Sequence, residues 1–228
     1  MGFMPKLPLI DKPLPLAKLA YESLRDTILA GDMVVGKIYS EKVIAEQMGI
    51  SKTPVREALL ELSAQGLISF LPRRGVTVMK FSQKDVEEVF EVRLFIEMSV
   101  AEKAARHLDS IDLTYVKKAL GAQERCICSD DKEKFVEADR EFHLAFAELI
   151  NNRRLSVLQE NVRDLIQVFG KEALIKGTRP KEVVAEHHRI LDAILAGDSD
   201  MARSAMSDHI INTKRLVLEA LHGKQLLA

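Results

Sequence analysis

The sequence predicts a mainly α fold in two parts, a small N-terminal unit of helices closed by a β-hairpin and then an all-α antiparallel bundle. Three observations carry this expectation. Between Ser40 and Gly75, two helical patterns joined by a tight glycine turn lead into a short extended stretch with a basic tip. From Ser82 onward no strand pattern survives, only long amphipathic stretches divided by turn signals. With 228 residues, 47% of them hydrophobic, the chain can bury a sizeable core in two domains.

Residues 1–16 form a tail broken by Pro5, Pro8, Pro13 and Pro15, and residues 17–79 form the first unit. In that unit the first helix of the central pair runs from Ser40, a capping residue, to Met48, with Val43, Ile44 and Met48 as its apolar stripe. Gly49 ends it and Ile50 fills the turn. Ser51-Lys52-Thr53-Pro54 opens a second helix over 51–65, where the missing N–H of proline costs nothing in a first turn. Either Ser51 or Thr53 is its cap. Val55, Leu59 and Leu62 recur at i, i+4 and i+7 and turn inward, which leaves Lys52, Thr53 and Arg56 outward near the helix N-terminus. Beyond Gln65-Gly66, the segments Leu67 to Phe70 and Val76 to Val78 read as strands around a basic tip, Pro72-Arg73-Arg74-Gly75. Helix, tight turn, helix and basic hairpin, in that order, describe a winged helix-turn-helix, whose second helix docks in the major groove of DNA. A helical hairpin with a solvated charged face is the plainer reading, and the basic hairpin at the right distance argues against it.

Residues 80–82 link this unit to the bundle with little slack, the bundle spans 83–222, and 223–228 form a tail. Its helices are expected near 83–106, 110–127, 131–150, 153–175, 181–196 and 199–222. Ser82 with Asp85 has the spacing of an N-terminal cap, and Asn151-Asn152, Gly177 to Pro180, and Gly197-Asp198-Ser199 divide the helices that follow. Asp139 and His143 stand at i, i+4 and share one helix face. His187 lies ten residues before Gly197 and His209 twelve after it, so the two are roughly 15 and 18 Å from the turn of a helical hairpin and level with each other. One carboxylate and three imidazoles converging in a bundle build a first-row transition-metal site with positions left open for another ligand. His188 would point about 100° away from His187, so only one of that pair can face the others, and the level of His209 favours His187. His107 and His222 lie near helix ends, where dipole and solvent suffice to explain them.

Charge is unevenly shared. The net charge is -1, yet residues 1–80 hold 11 Lys and Arg against 8 Asp and Glu, so the basic excess sits with the expected DNA-docking unit. No signal peptide is apparent, and no apolar run approaches the ~20 residues of a spanning helix, so a soluble, cytoplasmic protein with no membrane partner is expected. Cys126 and Cys128, one residue apart, suit neither a zinc knuckle nor a disulfide framework and read as free thiols near a helix end. No HExxH helix, phosphate loop or Ser–His–acid spacing is present, which weighs against an enzyme. A metal-dependent hydrolase working through a bound water is the corresponding alternative.

The run Met48-Gly49-Ile50-Ser51-Lys52-Thr53-Pro54-Val55-Arg56-Glu57-Ala58-Leu59, with Tyr21-x-x-Leu24-Arg25-x-x-Ile28, Gly36, Ser40-Glu41, Gly66-Leu67-Ile68 and Arg74-Gly75, resembles the winged-helix domain of the GntR family of bacterial transcription regulators. Arg93-Leu94-x-x-Glu97, Asp139-x-x-x-His143, Glu186-His187 with Ile190 and Ala193-Ile194, Gly197-Asp198 and His209 resemble the all-helical FCD ligand-binding domain of the FadR subfamily. Together the two resemblances span Ala17 to Leu221. They imply a homodimer on double-stranded operator DNA bearing an inverted repeat, contacted by Ser51, Lys52, Thr53, Arg56, Arg73, Arg74 and Gly75. Lys42 matches a further family position at DNA. Lysine where some relatives carry arginine, at 42 and 52, makes bidentate base reading there weaker. In the FCD pattern Asp139, His143, His187 and His209 hold a divalent metal, here expected to be zinc, with nickel, manganese or iron as alternatives. A small organic acid effector completes the coordination and, by its differential affinity for two arrangements of the dimer, changes operator binding. Arg93 is either a carboxylate clamp beside the metal or a structural ion pair with a bundle glutamate. A purely structural metal, closed by four protein ligands, is the rival to effector sensing.

Overall fold

The computed structural model describes residues 15–225, so the expected tail up to residue 14 and the last three residues lie outside it. Within the described residues the chain forms two compact units that meet between Lys80 and Phe81. The first opens with α1 (Leu16–Ala30), whose Ala20, Leu24 and Ile28 recur at i, i+4 and i+8 and are all buried. There follow β1 (Ile38–Tyr39), α2 (Glu41–Met48), α3 (Lys52–Ala64), β2 (Ile68–Leu71) and β3 (Gly75–Val78). The three strands form an antiparallel sheet in the order β1-β3-β2, with Ile38 opposite Thr77 and Ile68 opposite Val78. The sequence reading contained the β2–β3 wing but not β1, because two residues are too few to show an alternation.

Val55, Leu59 and Leu62 of α3 are fully buried against the rest of this unit, as their spacing requires. Val43 departs from expectation. In α2 the inward stripe runs through Ile44 and Ala45, and Val43, about 100° around the helix from Ile44, is 47% exposed. Ser51 is the cap residue of α3 by backbone geometry, but its hydroxyl accepts no bond. The reason is local: Pro54 occupies the third helical position and has no N–H to offer a cap.

The second unit begins inside the expected linker, at Phe81. Phe81 packs edge-to-face on Phe169 with ring centroids 5.1 Å apart, and Ser82 caps α4 (Gln83–Arg106). The Ser82 hydroxyl accepts from the Asp85 N–H at 3.2 Å while the Asp85 carboxylate accepts from the Ser82 N–H at 2.7 Å, a complete capping box. Then come α5 (Thr114–Ser129), α6 (Lys132–Glu148), α7 (Arg153–Leu174), α8 (Arg179–Leu195) and α9 (Ser199–Gln225). Two boundaries differ from the sequence reading by more than two residues. A 3₁₀ turn at Leu108–Ser110 and the Asp112 carboxylate, which accepts from the Thr114 N–H at 2.8 Å, delay α5 by four residues. At the other end α9 continues to Gln225, into the expected tail. Asp131 and Asn152 cap α6 and α7 through their side chains. Cys126 is buried and Cys128 exposed at the end of α5, both as free thiols.

Phe90, Phe142 and Phe146 with Ile190, Ile194 and Met206 form the middle of the bundle core, each side chain essentially without solvent. Burying each contributes about 1.5–3 kcal/mol. Against that apolar packing lies a layer of buried polar side chains contributed by α4, α5, α6, α7, α8 and α9.

Candidate functional site

Three imidazoles form the heart of this polar layer. The ring centroids of His187 and His209 are 4.6 Å apart, those of His143 and His209 5.1 Å, and one nitrogen from each of the three lies within 4.8 Å of the others. All three side chains are buried. Their Nδ1 atoms face outward to separate acceptors. The His143 Nδ1–H donates to Glu97 at 2.8 Å, that of His187 to the Gln123 carbonyl at 2.8 Å, and that of His209 to Glu186 at 2.7 Å. This network selects the tautomer in which Nε2 carries the lone pair, and the Nε2 atoms converge, those of His143 and His209 to 3.2 Å. Burial holds all three well below the ordinary histidine range, reinforced by the Arg163 and Arg93 charges at His143, by His209 at His187 and by Arg93 at His209. Neutral imidazoles with aligned lone pairs are what a metal ion requires. The Nε2 of His187 is buried and has no hydrogen-bond partner among the described residues, a lone pair with an unmet claim on a cation or donor.

Asp139 stands at the edge of this group. One carboxylate oxygen is 3.9 Å from the Nε2 atoms of both His143 and His187, while the other receives Arg163 Nη2. His188 is away from the cluster, half-exposed and paired with Glu124 at 2.7 Å. Arg93 is fully buried. Its Nε donates to Glu97 at 2.9 Å and its Nη2 to the Nε2 atoms of His143 and His209, at 2.9 and 3.2 Å. Both alternatives read for Arg93 therefore have a physical basis: it is ion-paired to a bundle glutamate, and it lies at the imidazole cluster. Glu97 also accepts from Gln159, and although burial alone would raise its carboxyl, the Arg93 and Arg163 charges hold it below the usual carboxylate range.

A small cavity of about 20 Å³ opens beside the cluster, bordered by Arg93, Asp139, Arg163, His209 and Thr213. Its wall is strongly basic, and two of the lining guanidinium groups keep nitrogens with no partner: Nη1 of Arg93, and Nε and Nη1 of Arg163. Sequence reasoning missed Arg163, Gln123 and Arg179. The signal for Arg163 was its place four residues after Gln159 on a helix whose buried face also carries Val162 and Ile166. Arg179, buried at the start of α8, grips both oxygens of Glu186 at 2.8 and 2.7 Å and so fixes the acceptor of His209.

The first unit carries the other candidate surface. A cleft of about 820 Å³ runs between the N-terminus of α3 and the wing, lined by Lys42, Lys52, Thr53, Arg56, Arg73, Arg74 and Gly75. Ser51, exposed, stands at the start of α3. Arg56 is engaged by Glu41, whose two oxygens accept from Nη1 at 3.1 and 3.0 Å, and its guanidinium lies over the Phe70 ring, 5.7 Å from the centroid. Gly75 has φ +124°, and a Cβ there would meet the Tyr39 carbonyl oxygen at 2.2 Å, so the wing tip admits no side chain at this point.

The sequence pattern of the bacterial regulatory proteins of the gntR family matches residues 16–78, and that of the FCD domain matches residues 88–212. The chain belongs to the GntR family. It is a DNA-binding transcription regulator of the GntR/FCD type and not an enzyme, in keeping with relatives that are themselves named regulators. LutR of Bacillus subtilis, an HTH-type transcriptional regulator, is 30% identical over 198 residues, spanning 78% of this chain and 90% of LutR. A GntR transcriptional regulator from Rhodococcus sp. RHA1 shares the fold with a TM-score of 0.78 at 24% identity, over 90% of this chain and 98% of that one. The metal-free FCD domain of TM0439 aligns with a TM-score of 0.55 at 21% identity, over 63% of this chain and 99% of that domain. Among the described residues of this GntR regulator, no helix is long and apolar enough to cross a membrane.

Proposed function

We propose that this regulator is a cytoplasmic homodimer that binds an inverted-repeat operator and releases or tightens it in response to a small carboxylic acid held at a divalent metal. The observation that carries the sensing half is the set of three neutral imidazoles whose Nδ1–H groups are each fixed by an acceptor, so that their Nε2 lone pairs point at one another. His143, His187 and His209 would hold the ion together with Asp139, and the 3.9 Å from an Asp139 oxygen to the Nε2 atoms of His143 and His187 supports this reading. Imidazole ligands with carboxylate suit zinc best, with nickel, manganese and iron as the other candidates. Bound there, the ion supplies a Lewis-acidic anchor for a ligand oxygen. Arg93 and Arg163 supply charge complementary to that ligand, which a purely structural metal site would not need.

On the DNA side, α3 enters the major groove with Ser51, Lys52, Thr53 and Arg56 toward bases and phosphates, while Arg73, Arg74 and Gly75 on the wing meet the backbone or minor groove and Lys42 supplies a further DNA contact. The unpaired donors of the cavity and the basic cleft belong to separate units, so the two halves of the proposal are tested separately. His187→Ala or His209→Ala should lower metal content after mild purification and abolish the response of operator binding to added carboxylates. His188→Ala should do neither. Full metal content in the first two variants would sink the metal assignment, and unchanged effector response with lost metal would favour an effector site that needs no ion.

A further inference from the structure

Arg93 stands where two demands meet. The lone pairs of His143 and His209 Nε2 can be shared with the Arg93 Nη2 hydrogens, as they are at 2.9 and 3.2 Å, or with a metal ion, but not with both. A divalent ion at the imidazoles would also sit against a guanidinium in a dry interior, where like charges repel strongly. Arg93 has somewhere else to go. Its Nε stays tied to Glu97 at 2.9 Å, its Nη1 has no partner, and the residue borders the small cavity that Arg163, with two unpartnered nitrogens of its own, borders from another helix.

We propose that Arg93 changes partners with metal occupancy, surrendering the Nε2 atoms of His143 and His209 to the ion and turning Nη2 and Nη1 toward the cavity, where with Arg163 it receives an anionic ligand. This rests on the metal reading above and adds to it a built-in exchange: the residue that competes with the metal is the one that metal binding frees for the ligand. Charge balance defines the ligand's class. Arg93, Arg163 and Arg179 face Glu97, Asp139 and Glu186 in ion pairs, and an imidazole that holds a metal does so in its neutral form. A divalent ion therefore enters with its full charge uncompensated, and a small dianion such as a dicarboxylate restores neutrality where a monocarboxylate does not.

The test uses the full chain with Co(II) as the metal and malonate as the dicarboxylate. Co(II) affinity, measured by competition with a chelating indicator without malonate, should rise roughly tenfold in Arg93→Gln, since the competing donor and its charge are gone. Malonate affinity of the Co(II)-loaded variant should fall at least about tenfold relative to the unchanged chain. This sign is diagnostic, because a residue that merely supports the site would lower Co(II) affinity when removed. Arg93→Lys retains the charge facing Glu97 and provides the same reading if the glutamine variant does not fold: the lysine side chain is shorter, and its compact ammonium, drawn to Glu97, stands further from the imidazoles, so Co(II) affinity again rises. Equal or weaker Co(II) binding by either folded variant, or undiminished malonate binding, overturns the exchange alone. If the unchanged chain binds no Co(II), the metal reading beneath it falls as well.

Discussion

Each buried histidine of the cluster ties the chain's stability to pH. In the folded chain burial keeps His143, His187 and His209 neutral well below the value of 6.5 that an unfolded histidine shows. Below that value the unfolded chain binds more protons, so stability falls as pH falls toward the depressed folded values, and above it these groups contribute no slope. Each histidine contributes up to about 1.4 kcal/mol per pH unit. With metal removed by chelator, the urea midpoint should therefore drop steeply between pH 7.5 and 5.5 and level off on the alkaline side; a flat profile would mean that the imidazoles are already charged or solvated. These histidines were legible in the sequence, because an i, i+4 pair and two positions level across a helical hairpin are properties of spacing. Arg163 was not. A charged residue on an amphipathic helix reads as solvent-facing until the partner that buries it, here Asp139 from another helix, is brought alongside.

At the scale of elements, the wing depends on one close approach. β3 starts at Gly75, and β1 passes so near that Tyr39 leaves no room for a Cβ. Gly75→Ala must push β1 away or distort the tip carrying Arg73 and Arg74, at a cost of about 1–3 kcal/mol. Operator affinity should drop while the bundle's thermal transition stays in place; unchanged operator affinity would mean that the wing tip is dispensable for binding. Element prediction succeeded where a periodic pattern ran for three turns or more, as in α3 and α4. It failed at β1, too short to alternate, and at the start of α5, where the Asp112 side chain and a 3₁₀ turn decide the boundary. Helix phase was the other weakness: Val43 is apolar, yet a helix as short as α2 buries only the residues that its neighbours reach.

For the whole molecule, a two-fold dimer would place two equivalent copies of α3 on successive major-groove faces, so protection in a footprinting experiment should cover two inverted half-sites about one helical turn apart. Protection of a single half-site at saturating protein would contradict the dimer. The division of labour between a basic first unit and an acidic second one was visible in the charge distribution alone. Any effect of an occupied cavity on the spacing of two readers was not, because coupling of that kind would lie in the difference between two arrangements and leaves no mark on a single chain's periodicity.

The pairing of Arg56 with Glu41 gives the DNA surface a form of restraint. Both carboxylate oxygens accept from this guanidinium and Phe70 lies beneath it, so the arginine already has partners in the free protein. A stretch of DNA that offers only a scattered negative charge competes with a well-formed partner and gains little from the exchange. A guanine edge or a phosphate in the right position would replace that partner. If Arg56 docks on DNA as proposed, Glu41 would be a local rival for it, and part of the selectivity would arise from what the protein withholds rather than from what it extends.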